Sequence, residues 1–330
     1  MKNLIQKLVE TVGPSGYESA VRDLVRAEVE PLADSIEVDA LGNLLARKGQ
    51  KVAGGLRIML AAHMDEIGLI ATHVDENGFV RFTTIGGVAP QTCLGGRVRF
   101  VSGVQGVIGS ERLEAGDKIY SFEQFFIDVG AASRADCPVK VGDTAAFDRS
   151  FVDLGNRLVS KAMDDRISVA VLIETLRQVS RTPHELVFTF TTQEEVGTRG
   201  ATSSAYAIDP DLGISVDVTR VGDTPKGLRM DVGLGKGPAI KVRDSGMLAD
   251  PRLVQRMVEA AEKAGIPYQM EVLESGSTDA RAIQLVRAGV PAGCISIPCR
   301  YIHSPSEMVD YRDVLHAVKL LVELLSNPFV

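Results

Sequence analysis

Residues 185–195 read Glu185-Leu186-Val187-Phe188-Thr189-Phe190-Thr191-Thr192-Gln193-Glu194-Glu195. Apolar and β-branched side chains fill positions 186–192, and a short run of this kind predicts a strand buried on both faces. Two acids end it. A carboxylate at the end of a buried strand costs several kcal/mol, roughly as for any buried charge, unless it is paired or bound to a metal. The same ending recurs elsewhere. Residues 56–62 are a second apolar run that stops at His63-Met64-Asp65, and residues 212–216 are a third that stops at Asp217.

Helical spacing separates these runs. Residues 164–179 place Ile167, Val171, Leu172 and Leu176 on one face of a predicted helix that opens with Asp164-Asp165. Further helices are predicted over 251–264, 279–286 and 311–325, and further strands over 268–273 and 292–297. Near the start, Ser15 and Glu18 form a candidate capping box ahead of Val21, Leu24, Val25 and Val29, and Pro31 stops that helix. Strands alternating with helices predict an α/β fold, a three-layer α/β/α sandwich with a mostly parallel central sheet. Between residues 67 and 156 the texture changes. There Gly86-Gly87, Gly95-Gly96, Gly103, Gly106 and Gly109 punctuate short β-branched runs, which predicts an inserted small β-barrel or sandwich. The expected division is a discontinuous α/β domain, 1–66 and 157–330, around a β-rich insert, 67–156.

Composition narrows the partners. The 330 residues carry 36 basic and 43 acidic side chains, a net charge of -7, which argues against nucleic acid and anionic membranes. Cys93, Cys137, Cys294 and Cys299 lack paired spacing, so neither a disulfide framework nor a thiolate zinc site is expected. Cys299 lies near His303 but has nothing beside it to activate a thiol. No signal-peptide pattern opens the chain and no run reaches the length of a membrane span, so the expected compartment is the cytoplasm.

Five polar clusters remain: His63-Met64-Asp65, Asp164-Asp165, Glu194-Glu195, Asp217 and His303. Open α/β sheets bind ligands beyond the carboxyl ends of their strands, where these clusters can converge. Alone, an H-x-D tripeptide or a pair of glutamates is usually solvated surface. Together they would repel unless a cation neutralised them, and carboxylate with imidazole suits zinc, cobalt or manganese.

At these residues the chain resembles the TET aminopeptidases, the glutamyl aminopeptidase-like or deblocking enzymes of metallopeptidase family 42. The resemblance rests on Gly13-Pro14-Ser15-Gly16, Ala62-His63-Met64-Asp65-Glu66-Ile67-Gly68 and Phe126-Ile127-Asp128-Val129-Gly130-Ala131. It continues through Lys161-Ala162-Met163-Asp164-Asp165-Arg166, Gln193-Glu194-Glu195-Val196-Gly197, Val216-Asp217-Val218-Thr219 and Arg300-Tyr301-Ile302-His303-Ser304-Pro305. It implies a metal-dependent aminopeptidase that removes N-terminal residues from short peptides using two divalent metal ions per subunit, zinc or cobalt with manganese also suited. It implies Asp164 bridging the metals, His63 and Asp217 completing one and Glu195 and His303 the other. Glu194 would be the general base, and Asp65, the second catalytic candidate, would accept a hydrogen bond from His63. A cis peptide at Asp164-Asp165, a PDZ-like insert making dimer contacts and a homododecamer built from dimers are implied as well. Ser277, in the loop from Ser275 to Ala280, stands where relatives usually have glycine.

Other readings are weaker. A two-metal carboxypeptidase or amide deacylase would use the same chemistry on a different end group. A non-catalytic assembly protein would not be expected to keep every ligand. An endoglucanase needs two carboxyls flanking a sugar ring, whereas here the acids interleave with histidines. His73, His184 and His316 lie away from the strand-end acids. Gly233, Gly235 and Gly237 resemble a phosphate loop only loosely.

Overall fold

The computed structural model describes residues 1–112 and 121–329. Two helices come first, α1 (Lys2–Glu10) and α2 (Ser19–Val29), and then strands β1 (Ser35–Val38), β2 (Leu44–Lys48) and β3 (Arg57–His63). Six short strands follow: β4 (Gly68–Val74), β5 (Val80–Ile85), β6 (Arg97–Phe100), β7 (Gln105–Ser110), β8 (Phe125–Asp128) and β9 (Thr144–Phe147). The chain returns through β10 (Val152–Asp153), β11 (Arg157–Ser160), α3 (Met163–Gln178), β12 (Glu185–Thr191), α4 (Arg199–Ile208) and β13 (Leu212–Thr219). It ends with β14 (Ala239–Arg243), α5 (Pro251–Lys263), β15 (Gln269–Val272), α6 (Asp279–Gln284), β16 (Ala292–Arg300), β17 (Glu307–Asp310) and α7 (Tyr311–Leu325).

The large sheet runs β1-β2-β12-β3-β13-β16-β17-β11-β10, with β14 and β15 attached beside β16. Its four central strands, β12, β3, β13 and β16, are parallel to one another, as the alternation of elements predicts. The flanks, β1 with β2 and β17 with β11 and β16, are antiparallel, so the whole sheet is mixed. Central strands lose water on both faces, which explains their continuous apolar runs. Alternate residues of β3 show the two layers. Ile58, Leu60 and Ala62 pack with helices α1, α2, α3 and α7 in one core, while Met59 and Ala61 pack with Ala205 of α4 and Ile283 of α6 in another. Helix α3 is buried almost along its length because α1, α2 and α7 cover its outer side.

Strands β4-β5-β8-β7-β6-β9 close into a six-stranded antiparallel barrel. Its core is a separate cluster that includes Phe82, Phe100, Phe125 and Phe147. In β6, Val98 and Phe100 point inward and Arg97 and Arg99 outward, the alternation a closed sheet requires. Residues 113–120 of the predicted insert lie outside the described residues. Among the described residues, no helix is long and apolar enough to cross a membrane.

One local expectation fails. Ser15 and Glu18 do not form a capping box, because α2 begins at Ser19 without a side-chain cap. The Ser15 hydroxyl donates instead to Asp65 Oδ2 at 2.6 Å, and Glu18 Oε1 accepts from the amides of Gly16 and Gln193. A buried carboxylate needs a donor and makes a strong charge-assisted bond with this hydroxyl, whereas the free amides of the helix start can be satisfied by water.

Candidate active site

The parallel strands deliver their carboxyl-terminal residues to one cleft. His63 is the last residue of β3, Asp217 lies near the end of β13, and Glu194 and Glu195 sit on the turn after β12. Asp164 and Asp165 lead into α3, whose backbone becomes helical only after Asp165, and the peptide bond between the two is cis. His303 follows β16 and has a left-handed backbone, φ 63°. His63, Asp164, Glu194, Glu195, Asp217 and His303 all line the same cleft.

Asp164 sits between the two imidazoles. Its Oδ1 is 3.1 Å from His63 Nε2, and its Oδ2 is 3.4 Å from His303 Nε2. Glu195 Oε2 lies 3.2 Å from the same His303 nitrogen, and Glu194 Oε2 lies 4.0 Å from His63 Nε2. Two groups bring one donor atom from each residue within 4.8 Å of the others: His63 with Asp164 and Glu195, and His63 with Asp165 and Asp217. The second group contains Asp165, to which the sequence reading gives no role.

The charges are badly matched without a cation. Burial pushes Asp217 well above the carboxylate range, with Asp164 adding to the shift, and burial does the same to Asp165, beside Asp217. Glu194 is raised well above its usual range by burial and by Asp217, Asp279 and Glu195, against the pull of His63. Glu195 is raised by burial and by Asp164. Asp164 moves down: burial opposes this, but hydrogen bonds from His303 and His63 outweigh it. His303 is carried up to about 11 by Asp164 and Glu195 in spite of burial. Two buried oxygens, Glu195 Oε1 and Asp165 Oδ1, have no protein partner. Five carboxyls, two imidazoles and orphaned acceptors form a donor set that fits divalent cations.

Supporting groups hold this set in place. Asp65 is fully buried and does not line the cleft. Its Oδ1 accepts from the Glu194 amide at 3.0 Å, and its Oδ2 from the Glu195 amide at 3.1 Å. His63 Nδ1 lies 3.1 Å from the Asp65 carbonyl oxygen and 3.4 Å from its carboxylate, so the main chain is the nearer acceptor. Of the two catalytic candidates, Glu194 lines the cleft, and the Asp65 side chain is buried behind the turn that carries Glu194 and Glu195. Glu307, absent from the sequence reading, accepts from the Asp164 amide at 2.9 Å and the His303 amide at 2.8 Å. One carboxylate thus spans the two segments that meet at His303. Its signal in the sequence is slight, an acid opening a short alternating strand.

The remaining candidates have other tasks. His184 Nδ1 accepts from the Leu56 amide and its Nε2 donates to the Asn327 carbonyl, tying two strand starts to the chain end. The amides of Gly235 and Gly237 are taken by the Asp313 carboxylate, which stands where a phosphate loop would hold its ligand. Burial raises the Cys299 thiol well above its ordinary range, which suits a structural role. Ser277 lines the cleft and donates to Asp244 at 3.0 Å.

Residues 42–320 match the family described as M42 glutamyl aminopeptidase. The lysyl aminopeptidase of Pyrococcus furiosus is 37% identical over 341 residues, covering 98% of this chain and 96% of that protein. The structure of an aminopeptidase from the archaeon Desulfurococcus kamchatkensis gives a TM-score of 0.93 at 41% identity, covering 98% of this chain and 94% of the other. The TET1 peptidase of Pyrococcus horikoshii, described as able to assemble into a tetrahedron or a large octahedral shell, gives a TM-score of 0.89 at 32% identity over 98% of both chains. Relatives this similar along their full length show the family: the chain belongs to the M42 glutamyl aminopeptidase family and is an aminopeptidase.

Proposed function

We propose that this aminopeptidase removes N-terminal residues from short peptides with Glu194 as general base and two divalent cations in the cleft. Asp164 would be shared between them, with His63 and Asp217 on one side and Glu195 and His303 on the other. The observation that carries the reading is the position of Asp164, whose two oxygens face different imidazoles. A carboxylate so placed is suited to bridging. Cations in such a set supply a Lewis acid for the scissile carbonyl and a water acidified toward neutral pH.

The protein groups supply the rest. Glu194 faces the cleft on a turn anchored by Asp65, so its Oε2 can take a proton from the attacking water. The same oxygen can pass that proton to the departing amine. The Asp65 and Glu307 carboxylates orient the segments that carry the ligands without entering the cleft. The donor set suits zinc or cobalt, with manganese also possible in its chemistry.

The assembly is part of the proposal. The discontinuous domain, 1–66 and 157–330, would carry the chemistry, and the insert, 67–156, would make dimer contacts within a cytoplasmic homododecamer. The shells described for the Pyrococcus horikoshii relative support that reading. Glu194→Gln tests the chemistry. It should leave the metal content and the fold unchanged and lower kcat by roughly 10²–10⁴-fold, the usual contribution of a general base. A kcat within tenfold of wild type would remove Glu194 from the role.

A further inference from the structure

A loop of the barrel stands against two side chains of the peptidase cleft. Gly68 pairs with Ile85, so the end of β5 returns to the root of the barrel, and Gly86-Gly87 follow directly beside the site. Gly86 has a left-handed backbone, φ 74°, and accepts from the Val88 amide at 3.1 Å in a tight turn. That turn presents two bare Cα atoms to two groups of the cleft. A methyl group on Gly86 would lie 3.2 Å from Glu195 Oε2, and one on Gly87 would lie 2.6 Å from His303 Nδ1 and 2.9 Å from its Cε1.

We infer that Gly87 is a positioning residue of the peptidase site: its bare face seats the His303 imidazole and so fixes where Nε2 points. The ring is held from the other side by Asp164 and Glu195, at 3.4 and 3.2 Å. Its main chain is held by Glu307. Gly87 stands against the Nδ1–Cε1 edge of the ring. Gly87 is outside the left-handed region, so its backbone accepts alanine without strain. Glycine is required there by the ring. Ordinary contact begins near 3.5 Å, so an added methyl would drive the imidazole back by about 1 Å. Displacements of that size are enough to spoil a ligand's aim. The inserted barrel thereby backs a side chain of the cleft as well as having a core of its own.

The link to metal binding rests on the assignment of His303 and Glu195 to one cation. Two measurements separate the inference from that assignment. In a double-mutant cycle on the metal-free protein, Gly87→Ala should lower the melting temperature in the wild-type background and have little effect in a His303→Ala background, because the clash is then gone. Equal effects in both backgrounds, including failure of both to fold, overturn the inference. In zinc titrations read by elemental analysis, Gly87→Ala should weaken the second equivalent by 10–100-fold and spare the first, as disturbing a ligand's support usually does. The loop variant Val88→Ala should bind zinc as wild type does. Two zinc ions held as tightly in Gly87→Ala as in wild type also overturn the inference. A wild-type protein that binds fewer than two zinc ions overturns the two-cation assignment instead, and the cycle alone then decides the role of Gly87.

Discussion

Lys161→Met should destabilise the protein by about 3 kcal/mol, the lower end of the usual cost of orphaning a buried charge. Lys161 Nζ donates to both oxygens of Glu66 at 2.8 Å, and both side chains are nearly without solvent. Glu66 immediately follows Asp65, and Arg166 follows Asp165, so this cluster sits under the cleft. Breaking one partner of such a pair costs about 3–5 kcal/mol, because the survivor remains buried and charged. Glu66 would keep two partial compensations. It accepts from the Gly13 amide at 3.1 Å, and Arg166 Nη2 lies 3.6 Å away. Those contacts place the expected loss at the lower end of the range. Lys161→Met with Glu66→Gln should recover at least half of it. The amide still accepts from Gly13, and Arg166 keeps the carbonyls of Leu8, Thr11 and Gly13. The assay is denaturant unfolding at fixed protein and metal concentration, since assembly and ligands shift apparent stability. A single-variant loss under about 1 kcal/mol, the size of a solvated surface pair, would refute the reasoning. So would a double variant no more stable than Lys161→Met alone.

Glu307→Gln should cut kcat/KM more than tenfold with an unchanged circular dichroism spectrum. An amide offers one acceptor oxygen where the carboxyl group now gives each of two backbone donors an oxygen of its own, and a buried donor left unsatisfied costs about 1–3 kcal/mol. Unchanged kinetics would show that the clamp on Asp164 and His303 is dispensable. His184 predicts an acid-sensitive stability. Burial depresses its folded-state pKa below the ordinary 6.5, so the folded protein binds fewer protons than the unfolded chain. Its contribution is complete above about pH 6.5 and is lost as the pH falls below that value. The stability difference between wild type and His184→Gln should therefore shrink on acidification, and a difference constant between pH 5 and 8 would contradict the neutral tautomer inferred from its two hydrogen bonds.

What could be read from the sequence was whatever pairs a strong local pattern with an expensive exception. An apolar run such as 186–192 predicts its own burial, and acids at its end are then costly enough to demand a reason. That logic reached His63, Glu194, Glu195 and Asp217, while Asp164 was legible as an acid opening a helix, and the structure gathers all five with His303 in one cleft. It reached the central parallel strands for the same reason. The antiparallel flanks were less legible, because β14 and β17 are short and partly polar. Ser15 misled because the S-x-x-E spacing is a local signal, whereas the hydroxyl answers to Asp65, fifty residues away in sequence. Glu307 gave only the slight signal of an acid opening a short strand, and Gly87 read as turn punctuation alone. Each acts through a partner fixed only by tertiary structure, an amide of the Asp164 segment in one case and an imidazole ring in the other.

The place of the insertion follows from the same geometry. The barrel interrupts the chain between His63 and Asp164, two of the residues that must meet. Such an interruption is tolerable only if entry and exit lie close together. They do: β4, the first barrel strand, pairs with β9, the last, through Leu69 and Ala145. Closing the barrel therefore brings the chain back near its point of departure, and a long insertion adds little closure entropy to the larger domain. Since that point of departure is the end of β3, the root of the barrel lies beside His63 by construction. The β4–β5 hairpin then returns Gly86 and Gly87 to the same place. A module inserted at the far ends of the strands could not have touched His303. Placed here, its loop stands against the cleft from the moment the barrel closes, and any later role in assembly is built on an insert that already shapes the site.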